Sequence, residues 1–232
     1  WLGSLGNEKI FIADEIVRRA KKHDLKVDIS VHEEDRIYGS EWVRRISSCR
    51  ATLGTESGAS IWDRDGTIER AVDEELDQNP EATFEEVFEK VLKLHDGKLI
   101  YSGISPRVFE AAALKTPLIM FPGWYNGLVK PDVHFIQLEK DFSNFDSVLK
   151  TLRDDAALEA MAENAYRDLI ASGDYHESKL GDIVTCALEE VITAKQFNTS
   201  ATFERAKQDV QRIEKNYRLQ NWGLNGVSEF RF

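Results

Sequence analysis

Apolar residues recur at helical spacing in two long stretches of the C-terminal half. Leu158, Met161, Ala162, Ala165 and Leu169 share one face of a helix predicted over 157–171. Leu180, Ile183, Val184, Ala187, Leu188 and Val191 do the same over 180–195. Repeated i, i+3, i+4 spacing of this kind is the signature of an amphipathic helix. Nearer the start, Ile10, Ala13, Ile16, Val17 and Ala20 predict a helix over 7–24, and residues 40–48 and 145–152 read as shorter ones. Between these lie strand patterns. Leu25–Ile29 and Val133–Leu138 alternate apolar with polar, Ala51–Gly54 ends on a glycine, and Lys98–Tyr101 is a further short candidate. Leu118–Phe121 is a continuous apolar run of the sort buried in parallel sheets. Strands alternating with helices predict an α/β fold: a Rossmann-like parallel sheet flanked by helices. Residues 1–155 make that domain, 156–196 supply helices packing on it, and 197–232 form a polar helical extension and tail with a helix over 201–218. An acidic insertion, roughly 67–96, interrupts it; Pro80–Glu86 marks a helix start with Val87, Val91 and Leu94 as a modest apolar stripe, and the rest is a solvated face.

The most chemically suggestive stretch runs from Ser105 to Ile119. Ser105 is a good N-cap, and Pro106 suits the first helical position because its missing N–H would lack a partner there anyway. Arg107 and Glu110 project together from the first turns, Ala111–Ala113 permit close packing, and Thr116-Pro117 ends the helix before the apolar run. A cation and a carboxylate at a helix N-terminus suit a ligand that carries both an anion and hydroxyls, such as a nucleoside diphosphate. The plainer alternative is an Arg107–Glu110 surface ion pair. Gly123-Trp124-Tyr125-Asn126-Gly127 follows a strand end, where open α/β sheets place ligands. Glu56-Ser57-Gly58 follows another, with a helix cap or turn as the competing role. Gly3-Ser4-Leu5-Gly6 reads as a strand-to-helix turn, while Lys130 and His134 lie just past the glycine loop, His134 reading as a structural residue.

The succession Arg-x-Phe-Glu-Ala-Ala-Ala-Leu-x-Thr-Pro-Leu-Ile, then Phe-Pro-Gly and Gly127-Leu128-Val129, resembles the donor-binding, C-terminal half of GT-B glycosyltransferases, nearest to the bacterial family-1-type and CgeB-like proteins. The likeness runs from about Gly54 to Ile192 and is strongest over residues 102–153. It implies that Glu110 grips the ribose of a nucleotide sugar, a UDP- or GDP-sugar, with no metal or other cofactor required. Arg107 would face the diphosphate, with Ser105 in the same donor site. Gly123, Tyr125, Asn126 and Gly127, with Glu56, Ser57 and Gly58, would line the donor site. Many relatives carry a second glutamate eight positions before the first; this chain has Ser102 there. The resemblance further implies sugar transfer to a glycan or other acceptor in surface polysaccharide synthesis, in the cytoplasm or at the inner membrane face. The chain starts at Trp1, so either its N-terminus was removed or it is a piece of a longer protein; the resemblance implies an N-terminal GT-B half in the second case.

Two other classes stay open. Asp63-Arg64-Asp65-Gly66-Thr67 is similar to the opening motif of haloacid-dehalogenase-type phosphatases, which use one Asp as nucleophile and a second as acid/base beside Mg²⁺. Gly181-Asp182 could then stand for the late metal-binding acid, although a β-turn at Asp63–Gly66 explains the motif without chemistry. A non-catalytic nucleotide-binding module is the other. The net charge of −11 argues against nucleic acid as a partner, since phosphate backbones are held by clustered Lys and Arg. No apolar run approaches the ~20 residues of a membrane helix. Cys49 and Cys186 lack metal-ligand spacing and read as buried free thiols.

Overall fold

The computed structural model describes residues 2–194 together with Arg205, Gln208 and Arg212, and divides into units spanning residues 1–175 and 176–232. In chain order the first unit contains α1 (Gly3–Ala20), α2 (Gly39–Ser48), β1 (Thr52–Gly54), β2 (Ser57–Ala59), α3 (Thr67–Gln78) and α4 (Phe84–Val87). It continues with β3 (Tyr101–Gly103), α5 (Pro106–Ala113), β4 (Leu118–Met120), β5 (Ile136–Gln137), α6 (Phe145–Leu152) and α7 (Asp155–Tyr166). The second unit opens with α8 (Glu177–Ala194).

Three strands form a parallel sheet in the order β1-β4-β5, with Leu53 beside Ile119 and Ile119 beside Ile136. The middle strand is buried along its whole length because helices cover both faces. Its side chains alternate between two cores, as the period of a strand requires. Ile119 joins Ile12 and Ile16 of α1 and Phe145, Val148 and Leu149 of α6. Leu118 and Met120 point the other way, to Val108, Ala111 and Ala112 of α5 and to Ala165 and Leu169. Burying each such Leu, Ile or Met side chain stabilises the fold by roughly 1.5–3 kcal/mol. Ala111 and Ala112 of α5 are almost wholly covered, which is how that helix sits against the sheet.

The insertion is more ordered than its charge suggests. It folds as α3, then α4 continuing through a π-helical turn to Leu92. A capping box between Thr83 and Glu86 starts α4. Ile61, Ile68, Val72, Val87 and Leu92 form a separate small core, whereas Leu94 of the expected stripe is exposed.

Several local expectations differ from the fold. The helix expected over 7–24 starts at Gly3, so Gly3–Gly6 is its first turn and not a loop. Distant side chains cap that turn: Asp96 accepts from the Ser4 amide (2.9 Å) and hydroxyl (2.7 Å), and the Ser60 hydroxyl accepts from the Leu5 amide (3.1 Å). Partial burial pushes the Asp96 carboxyl up, but hydrogen bonds from Ser60 and Ser4 outweigh it and leave it below its usual range. Leu25–Ile29 is not a strand: Leu25 and Ile29 lean on the core, Val27 is exposed, and Asp28 pairs with Arg45. The strand expected over Lys98–Tyr101 lies at Tyr101–Gly103 and pairs antiparallel with β2, outside the parallel sheet. Val133–Leu138 shortens to β5 because His134 turns inward to the Lys130 amide. The helix over 157–171 forms as α7 plus a π-helical turn to Ala171, and it belongs to the first unit.

In α8 the stripe of Leu180, Ile183, Val184, Leu188 and Val191 is solvent-exposed, since periodicity reports amphipathic character but not a partner. Cys186 is exposed on the same helix and Cys49 is half-buried, so both are free thiols without the burial their apolar neighbours suggested. Of the helix expected over 201–218, Arg205, Gln208 and Arg212 are helical and the other residues lie outside the described set.

Candidate functional site

Parallel strands aim their C-terminal ends at one edge of the sheet, and the loops leaving β1 and β4 meet there. Glu56, two residues past β1, receives hydrogen bonds at Oε1 from the amides of Trp124 (3.1 Å) and Tyr125 (3.0 Å). Gly123 is required for this approach, because a Cβ there would stand 2.8 Å from the Glu56 side chain. Tyr125, Asn126 and Gly127 then adopt successive left-handed conformations, with φ of 44°, 57° and 70°. A left-handed tyrosine is strained and persists only where its surroundings hold it. Here the ring is fully buried and the phenol donates to the Phe121 carbonyl (2.7 Å). Burial, with the Glu56 charge adding to it, pushes that phenol well above its ordinary value, so it stays a neutral donor. The Tyr125 side chain is therefore part of the core beneath the loop, and only its backbone stands at the rim.

Asn126 carries the loop across to α5. Its Oδ1 accepts from the Ile104 amide (2.8 Å), one residue before the Ser105 cap. The Ser105 hydroxyl accepts from the Arg107 amide at 3.4 Å, as the sequence predicted for an N-cap with proline behind it. Arg107 and Glu110 are exposed on the first turns. No ion pair joins them among the described residues; both turn to Trp42 of α2 instead. The Trp42 indole N–H donates to Glu110 Oε2 (2.9 Å), and the Arg107 guanidinium lies over the same ring, 5.1 Å from its centroid. Helix α2 is anchored for this by buried Ile46, whose carbonyl accepts from the Thr116 hydroxyl (3.1 Å) at the far end of α5.

The rim thus gathers Glu56, Gly123, Asn126, Gly127, Ser105, Arg107 and Glu110 along one chain of contacts. Ser57 and Gly58 stand apart from it in role, as members of the β2–β3 pair. Gly58 has φ 153°, and a Cβ there would lie 1.9 Å from the Tyr101 carbonyl oxygen, so pairing alone demands glycine. Ser57 faces Lys9 (3.5 Å). Ser102 lies in β3.

Two tryptophans also stand at this rim: Trp42, outside the residues the sequence marked, and Trp124, marked only as part of the glycine loop. Trp42 was detectable as an aromatic residue amid the charges of α2. Trp124 is 70% exposed on the rim, with its ring against Gly127. Beyond the loop, His134 is buried and structural: Nδ1 accepts from the Lys130 amide (3.0 Å), which leaves the proton on Nε2 to donate to Asp168 (2.9 Å). Arg167 foremost, and His134 after it, hold the Asp168 carboxyl down at about 2.

The Asp63 motif is a helix cap. Asp63 accepts from the amides of Gly66 and Glu69 (each 2.9 Å), and Asp65 accepts from the Thr67 amide and hydroxyl at the start of α3. These bonds hold both carboxyls below their usual range, and they engage both oxygens of the would-be nucleophile. Asp182 lies in α8 of the second unit. Among the described residues no group of His, Cys, Asp and Glu could hold a metal ion, and no helix is long and apolar enough to cross a membrane. Compared with known proteins, the chain matches no family model and no curated protein.

Proposed function

We propose that this chain is the donor-binding half of a glycosyltransferase that moves a sugar from a UDP- or GDP-sugar to a glycan or other acceptor. One observation carries the reading: Glu110 and Arg107 stand exposed on the first turns of a Ser105-capped helix, beside the loop that follows the middle parallel strand. Glu110 accepts the two ribose hydroxyls, because a carboxylate has acceptors only and a diol offers two donors. Arg107 and the N-terminal dipole of α5 neutralise the diphosphate; the dipole contributes about 0.3–1 kcal/mol toward a nearby anion. Catalysis on this side is positioning of the donor and stabilisation of the departing diphosphate. The acceptor and the catalytic base are supplied from outside the residues named here.

The test is a thermal-shift titration with UDP, GDP, ADP and CMP on the wild type and on Glu110→Ala. A ligand at a hundred times its Kd adds about 2.7 kcal/mol, which raises Tm by about 5–10 °C in a chain of this size. One nucleotide is expected to give the shift and Glu110→Ala to lose it. No shift with any of the four at millimolar concentration overturns the reading, and binding without sugar transfer by the full-length protein reduces it to a nucleotide-binding module.

A further inference from the structure

We infer that Trp42 is the positioning residue of the nucleotide site, setting the carboxylate of Glu110 for the ribose and the guanidinium of Arg107 for the diphosphate. The inference rests on the function proposed above and adds to it a side chain 68 positions away in sequence. Three features of its geometry fit such a role. The indole N–H takes only one oxygen of Glu110, Oε2 at 2.9 Å. Among the described residues Oε1 of the exposed Glu110 has no hydrogen-bond partner, so its two lone pairs are open to the two hydroxyls of the ribose. The same ring lies under Arg107 at 5.1 Å, which holds a long, otherwise rotatable cation by its face and leaves its N–H edge open to phosphate oxygens.

Trp42 is itself held from below. It is half-buried, and one turn on, Ile46 is buried and bonded to Thr116. Thr116 closes α5, so a single contact between α2 and α5 sets both ends of the arrangement. A carboxylate on an exposed helix would otherwise sample several rotamers, and each that is lost on binding weakens affinity. The indole bond removes that freedom before the ligand arrives. An Arg107–Glu110 pair would neutralise the two groups against each other; contact of each with the Trp42 ring keeps both charges available.

The readout is the preference for ribose, which a merely structural role would not change. UDP and GDP are titrated beside their 2′,3′-dideoxy counterparts on the wild type, Trp42→Phe and Trp42→His. Phenylalanine keeps a flat ring for Arg107 but has no donor; histidine keeps a ring and an N–H. Trp42→Phe is expected to reduce the ribo-over-dideoxy preference about three- to tenfold, the range for the net worth of one ordinary hydrogen bond. Trp42→His is expected to restore most of it. A wild type that binds with an unchanged preference in Trp42→Phe overturns the role of Trp42 alone. A wild type that binds neither nucleotide overturns the site reading and this inference together. If Trp42→Phe does not fold, the five indole N–H resonances of the wild type decide the matter. One of them is expected to move in Glu110→Ala and on addition of UDP, and five unmoved resonances overturn the inference.

Discussion

The loop after β4 and the first turns of α5 lie next to each other, yet their polar groups do opposite things. In the loop, the Glu56 carboxylate is taken by two protein amides, the Tyr125 phenol by a carbonyl, and the Asn126 amide by Ile104. In α5, Glu110 gives one oxygen to an indole and Arg107 lies on an aromatic face, and both stay exposed. Two glutamates of the same chemical type thus divide the work. One builds the rim by satisfying a strained backbone, and the other is presented by it. A carboxylate near a strand end is therefore no evidence of ligand binding until its existing partners are counted.

Substitutions should separate the two regions by size of effect. Tyr125→Ala removes a fully buried ring from beneath the loop and should destabilise the protein by about 3–5 kcal/mol in chemical denaturation. A loss below one kcal/mol would mean that the ring does not support the loop. Glu56→Ala leaves the Trp124 and Tyr125 amides without their acceptor and should cost about 2–3 kcal/mol. Glu56→Gln keeps one acceptor oxygen and should recover most of that.

Asp168 tests the far anchor of the same loop segment, through His134 and Lys130. Its folded value of about 2 lies below the ordinary 3.8, so the folded state favours the ionised form. The resulting stability is present above pH 4 and disappears as pH falls from about 4 to about 2. Because the side chain is 41% exposed, solvent screening reduces the increment to below about 1 kcal/mol. Asp168→Asn should flatten the acid limb of the stability profile over that window; an identical limb in the variant would remove Asp168 from the account.

Glu110→Ala is the gentlest change to the fold and sharpens the contrast most. It loses one exposed hydrogen bond and should shift stability by no more than about 0.5 kcal/mol. A cost near that of Glu56→Ala would place Glu110 among the structural carboxylates.

Much of the framework was legible because it depends on local chemistry. Ser105, Pro106, Ala111 and Ala112 specify a capped, closely packed helix from residues within a few positions of one another. Leu118–Met120 reads as a buried strand because its apolar run is bounded by Thr116-Pro117 and Pro122-Gly123. The Asp63 motif was ambiguous for the opposite reason: the same short pattern serves as a nucleophile strand end or as a helix cap, and only the amides of Gly66 and Glu69 decide between them. The helix start at Gly3 depends on Asp96 and Ser60, and the antiparallel pairing of β2 with β3 on Gly58 meeting Tyr101. Such partners leave no periodic trace along the chain.

The sequence by itself determined the α/β alternation, the parallel strand at Leu118–Met120, and a helix that presents Arg107 and Glu110 from its first turns, since spacing and caps act over a few residues. Only the tertiary structure decided which polar groups are already satisfied. Glu56 closes on Trp124 and Tyr125, Tyr125 goes into the core, and Trp42 comes to Glu110, because a hydrogen bond depends on positions in space to a few tenths of an ångström and ignores the distance between its partners along the chain.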